Sequence, residues 1–362
     1  MPYKETMQTK VAHSQTMTPA VIEKPMLEAL KGRVAPRAPI WLMRQAGRYL
    51  PEYCALRAEA GSFLNLCYNP SMAAEITLQP LRRYDFDAAI LFSDILVIPH
   101  ALGQGLAFVE GEGPQLPPLE KLSDIENLDM AGFEQKLAPV YETIQILKRE
   151  LAADKTLIGF AGAPWTIACY MLHGRGGGTF DRTRQMAAAD PAGFQTFLMH
   201  IADVTARYLV SQIKNGADTV QLFDSWAGLV PDSDFESHII APTKHIIDKI
   251  RAAAPDVPII GFPRQAGKHY AAYAHETGIS ALGLDPQADI QSMPKNICLQ
   301  GNLDPEKLLA GGDTMRRAAL DILQAAEGRP FVFNLGHGVI KETPPEHVAE
   351  LAALVRSYTR TV

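Results

Sequence analysis

Residues 218–225 read DTVQLFDS. The middle of this run is apolar without the strict alternation of a half-solvated strand, and it ends in the polar pair Asp224-Ser225. A strand that is apolar on both faces must be covered on both faces, as in a parallel sheet flanked by helices. Seven further runs share this character: PIWLMR (39–44), AAILFSD (88–94), TLIGFAG (156–162), PIIGFPR (258–264), ISALGLD (279–285), ICLQGNLD (297–304) and FVFNLGHG (331–338). Each is bounded by turn residues.

Helix-like stretches separate most of these runs: 71–84, 133–153, 191–216, 235–253 and 305–326, with Gly216 as a stop signal for the third. The link between 285 and 297 is too short for a long helix. Strand–helix alternation repeated eight times predicts an α/β fold, a single (β/α)₈ TIM barrel. A doubly wound sheet would place a G-x-G-x-x-G after an early strand, and none is there. The Gly-rich GRGGG (174–178) opens no helix pattern and reads as a flexible loop; within HGRGGGTF (173–180) it is the candidate for a segment closing over a ligand. Residues 1–24 read as a mobile tail and 25–362 as the barrel.

Composition excludes several classes. Of 362 residues, 47% are hydrophobic and 20% charged, an ordinary globular balance. A net charge of -6 disfavours nucleic acid and anionic membrane as partners of the bulk surface. No apolar run is long enough to span a bilayer, and the first 20 residues lack the apolar core of a signal peptide. The cysteines at 54, 67, 169 and 298 are scattered, with no zinc or disulfide spacing, which points to a reducing, cytoplasmic setting and no metal.

The polar residues gather at the C-terminal ends of the eight runs: Arg44, Ser93-Asp94, Ala163-Pro164, Asp224-Ser225, Arg264, Asp285, Asn302 with Asp304, and Asn334 with His337. Barrel enzymes build their sites on that rim. Arg44 and Arg48 suit bidentate recognition of carboxylate or phosphate, the bland alternative being a surface ion pair with Glu52. Asp94 can accept hydrogen bonds from a ligand or stabilise a cation; otherwise it is a cap or salt-bridge partner. Tyr170, in a loop after the third run, reads by itself as core. Ser225 lacks a nucleophile elbow and fits a hydroxyl contact to an anion. His337, between glycines, reads as functional. Taken together these residues describe a barrel enzyme for a polyanion, with no sign of nicotinamide, flavin or metal.

PIWLMRQAGRYLPEY (39–53) resembles the N-terminal signature of the uroporphyrinogen decarboxylase family. FSDIL (92–96), GAPWTIACYM (162–171), QLFDSWAG (221–228), QGNLDP (300–305) and NLGHGV (334–339) resemble further motifs of that family, in its order, and the likeness runs from about residue 25 to the end. The resemblance implies a homodimeric (β/α)₈ barrel that converts uroporphyrinogen III to coproporphyrinogen III, without cofactor or metal, in haem biosynthesis. It implies that Arg44 and Arg48 bind propionate and acetate carboxylates, that Asp94 accepts hydrogen bonds from the pyrrole N–H groups, and that Tyr170, Ser225 and His337 complete the pocket. Asp94, Arg44 and Tyr170 are then the expected catalytic residues, with Arg44 the first candidate for proton donor. The sequence departs from the family at Arg264-Gln265, where Lys-Gly is common, and at Pro286, where tryptophan often follows the aspartate. Two other readings are open. One is a corrinoid-linked methyltransferase on the same barrel, which would need H-x-C zinc spacing. The other is a non-catalytic tetrapyrrole-binding protein.

Overall fold

A computed structural model describes residues 24–109 and 111–361. The expected mobile tail, up to position 23, lies outside the described residues. The strands in chain order are β1 (Ala88–Ile90), β2 (Ala107–Val109), β3 (Gly113–Gln115), β4 (Thr156–Gly162), β5 (Thr219–Asp224), β6 (Ile259–Pro263), β7 (Ala281–Gly283), β8 (Cys298–Leu303) and β9 (Phe331–Leu335). Seven of them form one parallel sheet in the order β1-β4-β5-β6-β7-β8-β9, while β2 and β3 pair as a separate antiparallel hairpin.

The eighth expected strand, 39–44, is reduced to a short seam, yet it closes the sheet. Ile40 bridges Phe333 of β9 in parallel. The Phe333 N–H donates to the Pro39 carbonyl at 2.8 Å. On the other side the Asp87 N–H donates to the Ile40 carbonyl at 2.9 Å, and the Ile40 N–H donates back to Asp87 Oδ2 at 2.8 Å. Asp87 also takes both Arg37 guanidinium nitrogens, at 2.7 and 2.9 Å. A buried carboxylate therefore replaces the missing ladder between this seam and β1.

Every second residue of each strand points into the barrel. Trp41, Met43, Ala88, Ile158, Ile260, Phe262, Ala281, Cys298 and Val332 form one inner cluster. Helix Pro25–Leu30 adds Met26, Ala29 and Leu30 to it. This helix plugs the N-terminal end of the barrel, where Lys24 pairs with Asp218 just before β5. Polar atoms inside the lumen form a chain: Trp41 Nε1 donates to Gln300 Oε1 and Gln300 Nε2 to Gln221 Oε1, both at 3.0 Å. The outward residues pack under the helices in a second, larger core. Both faces being apolar explains why the runs read as continuous rather than alternating.

Helices Pro70–Tyr84, Phe133–Glu150 and Pro191–Lys214 fall where expected. The stretch 235–253 opens with a π-helical turn, Glu236–Ile240, before Ala241–Ala253. The stretch 305–326 splits into Pro305–Ala310 and Gly312–Ala325, because Gly311 takes φ 65 with the His347 ring packed against it. One expectation is corrected: residues after β4 are not a loop. Pro164 occupies the first turn of helix Pro164–His173, and Gly174, at φ 85, ends it. Hairpin β2–β3 was not foreseen; its strands are three residues each and none of these residues is fully buried.

Replacing Asp87 with Ala leaves the Ile40 N–H and the Arg37 guanidinium without their acceptor. We expect a loss of about 2–4 kcal/mol, read as a lowered urea midpoint.

Candidate active site

The C-terminal ends of the strands form a mouth above an apolar floor. Phe223, half-buried, stands edge-on to Phe160 at 5.6 Å and to Phe262 at 6.0 Å. Sequence reasoning passed over these phenylalanines, because in a run that is apolar throughout nothing distinguishes a mouth residue from core.

Arg44 leaves the seam in the left-handed region, φ 60, which a non-glycine residue adopts at a cost of about 1 kcal/mol. Neighbours on each side hold it there. The Met43 N–H donates to Asn334 Oδ1 at 2.9 Å, and the Val339 N–H to the Met43 carbonyl at 2.9 Å. Gln45 is fully buried; its Oε1 accepts from Leu42 N–H and its Nε2 donates to the Ala88 carbonyl, each at 3.1 Å. The arginine stem lies across Gly338, where an added Cβ would meet Arg44 Cδ at 2.3 Å. The ion pair with Glu52 does not form: Arg83 takes both Glu52 oxygens at 2.9 Å. Among the described residues neither the Arg44 nor the Arg48 guanidinium has an acidic partner.

Asp94 follows β1 and is half-buried. Its Oδ1 accepts from the Leu96 N–H at 2.8 Å, so the local-turn alternative accounts for one oxygen only. Burial raises its pKa, against the Leu96 N–H and the Arg44 charge, which lower it. Tyr170 lies on helix Pro164–His173, four residues beyond Thr166, which donates to Asp224 Oδ1 at 2.5 Å and anchors the helix to β5. Burial pushes the Tyr170 hydroxyl up to about 12, and the Asp94 charge adds to this. That hydroxyl packs on Gly176 of the Gly-rich segment, which is tied to hairpin β2–β3 by the Leu116 N–H to Gly174 carbonyl bond at 2.7 Å. Tyr170 thus belongs to the mouth, although by itself it read as core.

His337 accepts the Gly338 N–H at Nδ1, at 2.6 Å, so its neutral ring carries hydrogen on Nε2 and is a donor. Burial, joined by the charges of Arg44 and Arg264, lowers its pKa to about 4. Arg44, Asp94, Tyr170, His337 and Arg264 therefore lie within one another's fields, directly or through a shared neighbour. Ser225 follows β5 on the same rim, without a hydrogen bond to this group among the described residues, and Arg48 is exposed on the turn that follows Arg44. Several other rim polars serve the scaffold instead. Asp285 accepts from Gln265 N–H, Gln287 N–H and the Tyr270 hydroxyl. Asn302 Nδ2 donates to the Asp285 and Ala288 carbonyls, and Asp304 caps helix Pro305–Ala310. Asp224 is buried, with burial raising its pKa to about 7.

Residues 22–358 match the uroporphyrinogen decarboxylase (URO-D) family. The chain belongs to the uroporphyrinogen decarboxylase family. It is 50% identical over 343 residues to a uroporphyrinogen decarboxylase of Granulibacter bethesdensis, covering 93% of this chain and 100% of that one. It is 51% identical over 337 residues to one of Sphingopyxis alaskensis, covering 92% and 98%. Among solved structures, a methyltransferase from Methanosarcina mazei superposes with a TM-score of 0.74 at 17% identity, covering 92% of this chain and 98% of that one, which is a likeness of barrel fold. The stretches that resemble the uroporphyrinogen decarboxylase motifs end at the mouth: they carry Arg44, Asp94, Tyr170, Ser225 and His337. Among the described residues no helix is long and apolar enough to cross a membrane.

The depressed His337 pKa has a consequence for stability. The unfolded ring takes a proton near pH 6.5, the folded ring only near pH 4, so the unfolded chain binds more protons between those values. Stability should fall as pH drops through that window. His337→Asn should flatten that part of the slope, as read from urea midpoints at pH 7, 6 and 5.

Proposed function

We propose that this chain removes CO₂ from the four acetate side chains of uroporphyrinogen III, leaving methyl groups and giving coproporphyrinogen III. One observation carries the reading: a half-buried carboxylate, Asp94, faces the same mouth as arginines with no acidic partner among the described residues. A polyanionic ring with N–H donors at its centre satisfies both. Propionate and acetate carboxylates meet Arg44 and Arg48. The pyrrole N–H groups converge on Asp94. Phe223 offers an apolar surface to the macrocycle, and Tyr170, Ser225 and the His337 Nε2–H complete the pocket.

The chemistry follows from these groups. Loss of CO₂ from an acetate arm leaves an electron pair that needs a sink. A pyrrole protonated at carbon is that sink, so the ring itself does the work a cofactor would otherwise do. Each arm then takes up a proton at its methylene carbon while the ring carbon gives its own proton back, so each CO₂ lost is replaced by one proton net and the arm becomes methyl. Asp94 stabilises the cationic ring by preorganised electrostatics. Desolvation disfavours its charge in the open mouth, and converging N–H donors relieve that cost. Arg44 is the first candidate for proton donor, although a guanidinium holds its protons tightly. Residues 25–362 are read as one catalytic unit, and family membership supports a cytoplasmic homodimer.

The test is anaerobic incubation with uroporphyrinogen, followed by oxidation and chromatography of the porphyrins. Seven- to four-carboxylate products are expected; unchanged substrate sinks the proposal. Asp94→Asn should lower kcat about 10²–10³-fold with near-native stability. Arg44→Lys retaining full turnover would remove Arg44 as proton donor. Gly338→Ala displaces the Arg44 stem, so we expect kcat/KM to drop about tenfold or more while Tm stays within a few degrees.

A further inference from the structure

Arg264 is a departure from the family pattern that the reading above leaves without a task. It leaves β6 at the mouth, half-buried. Its backbone is fixed on both sides: the N–H donates to the Asp224 carbonyl at 3.1 Å, and its carbonyl accepts from the Gly228 N–H at 3.0 Å. The next residue, Gln265, sits at φ 61, a conformation that suits glycine, the residue common there in the family. It is held by its N–H bond to Asp285 Oδ2 at 2.7 Å, and Asp285 is itself buried and bonded to the Tyr270 hydroxyl. Gly228 leaves room for this turn, since a Cβ there would meet Gln265 Cβ at 2.5 Å. The turn is thus rigid, and it belongs to the same strand ends that carry Ser225.

The side chain tells the rest. Among the described residues the Arg264 guanidinium has no acidic partner and no hydrogen bond, and its Nε is buried and unmatched. Its charge reaches the His337 ring, which Arg44 also influences. Two guanidiniums and one imidazole N–H donor therefore share a corner of the mouth, and Asp94, which feels the Arg44 charge, forms no ion pair with either guanidinium among the described residues. Half-burying an arginine without an acceptor is costly, and a carboxylate from outside removes that cost.

We propose that Arg264 binds one carboxylate arm of the substrate at the mouth, beside His337 and Arg44. The assignment rests on the decarboxylase reading and adds a contact that reading did not include. An arm held there is bound equally in ground and transition states, so the contact acts on KM more than on kcat.

The test compares wild type, Arg264→Gln and Arg264→Lys. We expect Arg264→Gln to raise KM about ten- to a hundredfold with kcat changed less than about threefold, and Arg264→Lys to recover part of the loss. The His337 ring, followed by NMR, should titrate at higher pH in Arg264→Gln, which checks that the two side chains share one corner of the mouth. An Arg264→Gln enzyme with wild-type KM overturns the assignment. If Arg264→Gln fails to fold by circular dichroism, Arg264→Lys decides, and a wild-type KM there overturns it. If wild type itself does not decarboxylate, the function reading fails alone. Calorimetric binding of uroporphyrinogen to wild type and Arg264→Gln then settles the contact, equal affinities overturning it and a loss of tenfold or more supporting it.

Discussion

The rim hangs from the seam at residues 39–41. A (β/α)₈ barrel must close on itself, and here the closing strand is barely a strand. Its hydrogen bonds to β9 and to Asp87 are few, so each counts for more than a bond within the long ladders. Arg44 comes three residues after that seam. Asn334 and Gln45, both fully buried, convert the closure into a fixed launch point for the arginine. Function here depends on backbone hydrogen bonds that touch no ligand.

The electrostatics of the mouth are lopsided. Cations go unpaired at its surface, while the ion pairs of the protein form elsewhere, as between Arg83 and Glu52 or Arg82 and Glu75. The net charge of -6 hides this, because charge summed over the chain says nothing about a cleft. Within the mouth, burial acts oppositely on acid and base: it pushes Asp94 toward its protonated form and His337 toward its neutral one. Both shifts lessen the charge that must be desolvated when the mouth is empty. On the reading proposed above, a bound polyanion with central N–H donors would reverse the balance at Asp94.

Much of this was legible in the sequence. Long buried strands such as β4 and β5 were found because both faces are apolar and turn residues bound them. The rim followed from polar residues at strand ends. What was not legible has a common cause. Asp285 carries the same carboxyl group as Asp94, and only the neighbours brought by the fold decide which of them faces the mouth and which secures a turn. Gln45 is one letter in a motif whose arginines draw the eye, yet its burial sets their position. Tyr170 read as core because an aromatic in a loop usually is, and the helix that brings it to the mouth was itself missed. The short seam was taken for a full strand, since periodicity cannot count ladder bonds.

Helix Pro25–Leu30, whose apolar residues merge with the inner cluster, closes the N-terminal end of the barrel among the described residues. Traffic of every kind must then use the rim. A macrocycle with four similar arms cannot pass through, and on the reading proposed above a single Arg44 can meet one arm at a time. Successive rounds require the ring to turn in place or to leave and return another way round. The proportion of partly processed rings set free would then report how fast the ring rotates relative to how fast it escapes, a branching ratio fixed by the grip of the rim rather than by the bond-breaking step.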